Sequence, residues 1–252
     1  MPSLRIIPCL DVKNGRVVKG TNFKELRDIA DPVELSEQYF LQGADEITLL
    51  DISASLEGRV AMIDIVSRCA ESTFVPLTVG GGIASTQAVQ DLLAAGADKV
   101  SIGSAAISNP GLLNAIANDF GSQVLVVSLD IKRAQTPSGF GVTRMGGTEL
   151  TDLDALDWIG EVTERGAGEL LVNSMDADGT KLGFDLELMQ VVREVSQLPI
   201  IASGGAGELP HFIAAAKSGA DALLAASVFH NGTFTIGEVK SELAKHGVDV
   251  RV

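Results

Sequence analysis

The chain has 252 residues, 46% hydrophobic and 21% charged, enough for a large buried core in one or two domains. Its formal net charge of −14 excludes nucleic acid as a general partner, because a phosphate backbone must be met by Lys and Arg. The two cysteines, Cys9 and Cys69, fall in apolar or helical patterns and read as buried thiols, and no apolar stretch approaches the ~18 residues of a membrane span.

The first residues lead straight into a strand with no signal sequence, so a soluble cytoplasmic chain is expected. Ile6–Val12 is an apolar run that delivers the carboxylate of Asp11 and is followed at once by Lys13-Asn14-Gly15. Such a run fits a strand buried on both faces. Similar runs follow at Glu46–Ile52, Val75–Val79, Lys99–Gly103, Val124–Ile131, Glu169–Ser174, Pro199–Ser203 and Ala222–Ala226. The fifth repeats the first, ending in Asp130.

Helical patterns separate them. Asp31-Pro32-Val33-Glu34 reads as an N-cap, a first-turn proline and a capping-box Glu, with Gly43 as the stop. Arg59–Ala70, Thr86–Ala95 and a segment opened by Asn109-Pro110 follow, then Leu153–Arg165, Leu186–Val195, Leu209–Ser218 and Ile236–His246. Strict alternation of buried strand and amphipathic helix predicts parallel strands, and eight units in this length fit a closed (β/α)8 TIM barrel. An open doubly wound sheet fits less well, since no Gly-rich fingerprint follows the first strand.

Motifs recur at a constant shift of 123 residues: Gly43-Ala44 with Gly166-Ala167, Gly81-Gly82 with Gly204-Gly205, Gly96-Ala97-Asp98 with Gly219-Ala220-Asp221, and Ser104 with Ser227. This predicts one domain over 1–252 built from two half-barrels, about 1–121 and 122–252. Two connections are long, Lys13–Ala30 and Lys132–Thr151; both follow the Asp-bearing strands and are expected to be loops that lie over an anionic ligand.

In such a barrel all strand carboxyl ends share one face. Asp11 and Asp130 then stand on opposite strands and can serve as a general acid and general base on one substrate. A strand-end Asp can also simply cap backbone N–H groups. Gly80-Gly81-Gly82 and Ser203-Gly204-Gly205, each followed by a strand leading to a serine, supply two places where backbone N–H groups approach an anion. Two such places imply a substrate with a phosphate at each end. Asp176-Ala177-Asp178-Gly179-Thr180 lacks the ligand spacing of a calcium loop, and His211, His230 and His246 lie late in the chain with no metal-ligand spacing, so no metal and no cofactor is expected. Asn173 and Ser174 are candidate donors lining the mouth. At the other strand ends, Arg5, Glu46, Lys99 and Glu169 either mark the solvent boundary or form a salt-bridged ring.

Together these residues resemble the cyclase subunit of imidazole glycerol phosphate synthase, of histidine biosynthesis, over essentially the whole chain. The most specific stretches are 5–20, Thr78–Ile83, Gly96–Ser101, Asp178–Lys181, Ile200–Gly207 and Ala225–His230. The resemblance implies that Asp11 and Asp130 are the acid/base pair. It also implies that Lys19 lies in a mobile loop over the substrate, that Gly82 and Ser104 hold one phosphate, and that Gly179, Gly204, Ala226 and Ser227 hold the other. It implies ammonia as co-substrate, delivered by a separate glutaminase subunit (a heterodimer) through a gate of Arg5, Glu46, Lys99 and Glu169, with Asp98 at the partner surface. Gly103 stands where such proteins often carry Asn, and Ala177 where Arg is common; both departures bear on phosphate affinity. The sister isomerase of the same pathway, or a non-catalytic barrel binding two phosphates, are the alternative readings.

Overall fold

The computed structural model describes residues 3–21, 24–52 and 62–251. In chain order its first half comprises β1 (Arg5–Lys13), β2 (Arg16–Thr21), β3 (Lys24–Ala30), α1 (Pro32–Leu41), β4 (Ile47–Asp51), α2 (Ile63–Ser72), β5 (Leu77–Gly80), α3 (Thr86–Ala94), β6 (Lys99–Ile102), α4 (Ser104–Ser108) and α5 (Gly111–Phe120). After a short 3-10 turn come β7 (Leu125–Arg133), β8 (Phe140–Arg144), β9 (Glu149–Asp154), α6 (Ala155–Glu164), β10 (Glu169–Ser174), α7 (Leu186–Val195), β11 (Ile200–Ser203), α8 (Leu209–Lys217), β12 (Ala222–Ala225), α9 (Ser227–His230) and α10 (Ile236–Lys245).

The parallel strands run β1-β4-β5-β6-β7-β10-β11-β12, and β12 pairs back onto β1, so the barrel is closed. β1 and β7 lie four strands apart in this ring, on opposite sides. Period-2 alternation sorts each strand into two faces. Ile6, Leu10, Leu49 and Val127 join helix residues such as Leu35, Leu92 and Val162 in one core between strands and helices. Ile7, Cys9, Val126, Leu171, Ile201, Ala222 and Leu224 form a second cluster with no helical member, the barrel interior. Both cysteines are buried free thiols.

The local signals act as physical chemistry requires. The Asp31 carboxylate accepts from the N–H groups of Val33 (2.9 Å) and Glu34 (3.4 Å), and Asp154, 123 residues on, accepts from those of Leu156 (2.9 Å) and Asp157 (3.3 Å). Each cap satisfies N–H groups that helix geometry orphans, worth about 1 kcal/mol. The reciprocal Glu34 bond of a capping box is not among the contacts of α1. Gly43, Gly96, Gly166 and Gly219 end their helices at φ of +89°, +105°, +99° and +99°. At the chain ends, Lys240 of α10 forms a buried ion pair with Asp45 (2.8 Å), whose second oxygen accepts from the Ile6 N–H (2.8 Å).

Four expectations change. The two long connections are not irregular loops: each is an antiparallel hairpin, β2–β3 and β8–β9, extending the β1 and β7 strands beyond the barrel rim. Neither stretch carries an apolar alternation that would mark its strands. The third strand begins at Leu77, not Val75: Pro76 has no N–H to give the ladder, although its carbonyl accepts from the Ile47 N–H. The helix expected from Arg59 begins at Ile63; residues 59–61 lie outside the described residues. A short helix, α4, follows β6 directly and had no periodic signal of its own.

Candidate active site

The carboxyl ends of the barrel strands bring Asp11 and Asp130 to one mouth from opposite walls. Asp11 is buried, with Cys9 Sγ 3.8 Å from its Oδ1. Asp130 stands in register with Asn173 on β10, whose Nδ2 donates to Asp130 Oδ1 at 3.1 Å. On the hairpin side, Thr143 Oγ1 donates to the Asp130 carbonyl at 2.9 Å. Loss of hydration pushes the Asp130 carboxyl above the ordinary carboxylate range; the Asn173 bond pulls it down and the charge of Asp178 pushes it up further.

The glycines after the third and seventh barrel strands are matched in the two halves. A Cβ on Gly81 (φ +106°) would fall 2.2 Å from the Asp51 carbonyl oxygen; one on Gly204 (φ +94°) would fall 2.8 Å from that of Ser174. Only glycine lets this backbone fold so closely over the preceding strand end. Gly82 follows with φ +67°, and Gly179 turns at φ +77° in the segment after β10. Asp178 N lies 3.4 Å from the Gly204 Cβ position, so the two segments meet. Ser104 and Ser227 open α4 and α9, with Gly103 and Ala226 as their respective N-caps. The Ser104 Oγ accepts from the Met145 N–H at the tip of the β8–β9 hairpin (2.9 Å). That leaves its O–H directed elsewhere, a feature no local sequence signal announced. Of Lys19, only the backbone is described, in β2; its side chain lies outside the described residues. Ser174, expected at the mouth, instead donates to Asp185 (3.0 Å), the residue that caps α7 and pairs with Arg133 (2.7 Å).

At the opposite end the four charges do meet. Arg5 contacts Glu46 (2.8 Å) and Glu169, and Lys99 contacts Glu46 (2.9 Å) and Glu169 (2.8 Å), closing a four-membered ring. Glu46 is 1% exposed and also accepts from Thr78 Oγ1 at 2.6 Å, a fifth member the sequence did not suggest. Burial by itself lowers the Arg5 pKa, but Glu169 and then Glu46 outweigh it and the net shift is upward. Above the ring, among the described residues, Thr48 Oγ1 and Ser101 Oγ are buried without a protein partner. Each lies two residues along its strand from a ring member and so shares the inward face. Asp98 is exposed on this same end and accepts from the Leu77 N–H at 2.8 Å. Nearby, Phe74 and Leu41 are exposed large apolar residues, 81% and 75% accessible. No described helix is long and apolar enough to cross a membrane.

Known proteins share this chain's whole length. A family model described as "Histidine biosynthesis protein" matches residues 5–235. Imidazole glycerol phosphate synthase subunit HisF of Clavibacter michiganensis subsp. michiganensis is 59% identical over 249 residues, covering 99% of this chain and 95% of the relative. The HisF subunits of Leifsonia xyli subsp. xyli and Thermobifida fusca are 58% and 56% identical, each over 99% of this chain and 98% and 99% of their own length. By sequence along its full length and by a closed barrel with matched halves, the chain belongs to the histidine biosynthesis protein family, alongside the HisF subunits of imidazole glycerol phosphate synthase.

Proposed function

We propose that this chain is the cyclase subunit of imidazole glycerol phosphate synthase, a cytoplasmic enzyme working as a heterodimer with a glutaminase. Ammonia condenses with the ketose carbonyl of phosphoribulosyl-formimino-aminoimidazole carboxamide ribotide and water leaves. The new nitrogen then closes onto the formimino carbon. The bond to the aminoimidazole carboxamide ribotide breaks, giving imidazole glycerol phosphate. The adjacent CH2 carbon loses a proton to make the ring aromatic, the other steps move protons on or off nitrogen or oxygen, and two carboxyl groups on opposite sides of the substrate serve those transfers.

The observation that carries this reading is the placement of Asp11 and Asp130 across one mouth, with matched glycine turns on either flank. Asp130, whose surroundings strengthen its hold on a proton, suits the donor role. Gly82 and Ser104 on one side, and Gly179, Gly204, Ala226 and Ser227 on the other, take the two phosphates; Lys19 contributes from the β2–β3 hairpin. The ring of Arg5, Glu46, Lys99 and Glu169 is the ammonia entrance. The inward hydroxyls of Thr48 and Ser101 give ammonia hydrogen-bond partners on the way to the mouth. The glutaminase docks on the ring end, where Phe74, Leu41 and Asp98 are exposed.

An ultraviolet assay of the purified chain with the ribulosyl substrate, with and without ammonium salt at alkaline pH, tests this. Ammonia-dependent turnover lost in Asp11→Asn is the expected result. Turnover of the preceding aminoaldose in its place would establish the isomerase instead.

A further inference from the structure

The glycine turn of the second half is fastened by a histidine that the first half lacks. Residues 204–208 lead from β11 into α8, as 81–85 lead from β5 into α3. In the first half Ser85 opens the helix, its Oγ accepting from the Ala88 N–H at 3.2 Å. At the shift of 123 residues, Ser85 and Ala88 become Glu208 and His211. His211 reaches back over its own helix start. Its Nδ1 accepts from the N–H groups of Gly207 (3.2 Å) and Glu208 (3.1 Å). Both donors are backbone amides, so Nδ1 is the unprotonated nitrogen of a neutral ring and Nε2 carries the proton.

The same ring touches the other wall of the seat. The segment after β10, which carries Gly179, returns to the turn: the Gly183 N–H donates to the Gly205 carbonyl at 2.8 Å. The two backbones are so close that a Cβ on Gly205 would fall 1.9 Å from the Gly183 carbonyl oxygen. The half-buried His211 ring lies over this junction, its Cδ2 3.4 Å from the Gly183 Cβ position. One imidazole is thus hydrogen-bonded to the segment that carries Gly204 and packed against the segment that carries Gly179. The methyl group of Ala88 can make neither contact. An anion held by backbone N–H groups binds more tightly when those groups are fixed beforehand, because every freedom frozen on binding subtracts from affinity.

We propose that His211 is the positioning residue of the Gly179–Gly204 phosphate seat: it locks the two walls to each other and so sets KM for the bisphosphorylated substrate without touching the reacting atoms. This rests on the reading of Gly179 and Gly204 as a phosphate seat given above. The two half-barrels then hold their phosphates differently. The second seat is fastened in advance by an imidazole, whereas the Ser104 seat is met by the tip of the β8–β9 hairpin.

Ammonia-driven kinetics of three variants test this. His211→Ala installs the first-half residue and is expected to raise KM about tenfold with kcat within about twofold of the wild type. His211→Asn, whose Oδ1 stands where Nδ1 stood and accepts the same N–H groups, should recover most of that KM. Glu208→Ser combined with His211→Ala grafts the first-half cap; it should restore the melting temperature and leave KM raised. An unchanged KM in His211→Ala overturns the proposal. So does a KM that recovers together with the melting temperature in the double variant, which would make His211 a helix cap and nothing more. If His211→Ala does not fold, His211→Gln takes its place, its amide displaced by one methylene; a KM equal to that of His211→Asn overturns the proposal. Titration of the isotope-labelled chain with inorganic phosphate separates this inference from the reading beneath it. The wild type should shift the amide resonances of Gly179, Gly204 and Gly82. His211→Ala should weaken the response at Gly179 and Gly204 and leave that at Gly82. Equal responses in both proteins overturn the role of His211, whereas a wild type that shifts Gly82 alone overturns the seat itself.

Discussion

Asn173 Nδ2 donates to Asp130 Oδ1 at 3.1 Å across the seam where β10 closes onto β7, the two residues standing opposite each other in register. The same Nδ2 lies 3.3 Å from Met175 Sδ, while the Asn173 Oδ1 is 3.1 Å from the Gly204 Cβ position. One amide therefore links the Asp130 carboxyl to the Gly204 turn.

Removing that amide should be visible in the pH profile. Burial raises the Asp130 pKa and the Asn173 bond lowers it. Asn173→Ala deletes the lowering contact, so the limb of the kcat–pH profile that belongs to Asp130 moves to higher pH. An unmoved limb would mean that Asp130 does not set it.

Asp130→Asn should cost activity and add stability. Turnover falls by about 10²–10⁴-fold if the carboxyl transfers protons. A carboxyl with a raised folded-state pKa burdens the fold as pH rises from the unfolded-state value through the folded one. The variant should therefore melt higher than the wild type at neutral pH, with the gap closing at acid pH. Thermal melts at several pH values check this.

Gly81→Ala and Gly204→Ala should separate binding from chemistry. The Gly81 substitution meets a backbone carbonyl at 2.2 Å and the Gly204 one at 2.8 Å, each at positive φ. Both should raise KM for the bisphosphorylated substrate more than they lower kcat, and the Gly81 variant should be the less stable, by about 1–3 kcal/mol for each strained position.

Within the ring, Arg5→Ala leaves Glu46 and Glu169 facing one cation, Lys99. The expected loss is about 1–3 kcal/mol of stability, the cost of under-satisfied buried acceptors. Glutamine-driven turnover in the complex should fall more than ammonia-driven turnover of the chain alone; equal losses would remove the gate role.

Lys240→Met breaks a buried pair rather than a surface one, because both side chains are under 10% exposed. Stranding Asp45 should cost about 3–5 kcal/mol. Adding Asp45→Asn should return part of it, as measured by denaturant unfolding.

The sequence alone determined the alternation of buried strands and helices, the strand-end position of Asp11 and Asp130, the glycine turns and the constant repeat. These are local or periodic properties, and apolar period, caps and left-handed glycines act within a few residues. Tertiary structure decided what depends on register between distant strands. That Arg5, Glu46, Lys99 and Glu169 close a ring, that Thr78 joins it, and that Asn173 rather than Ser174 reaches Asp130 all follow from how eight parallel strands stagger on closure. The hairpins β2–β3 and β8–β9 were hidden because their pairing is supported by the barrel strands they extend, not by apolar alternation of their own.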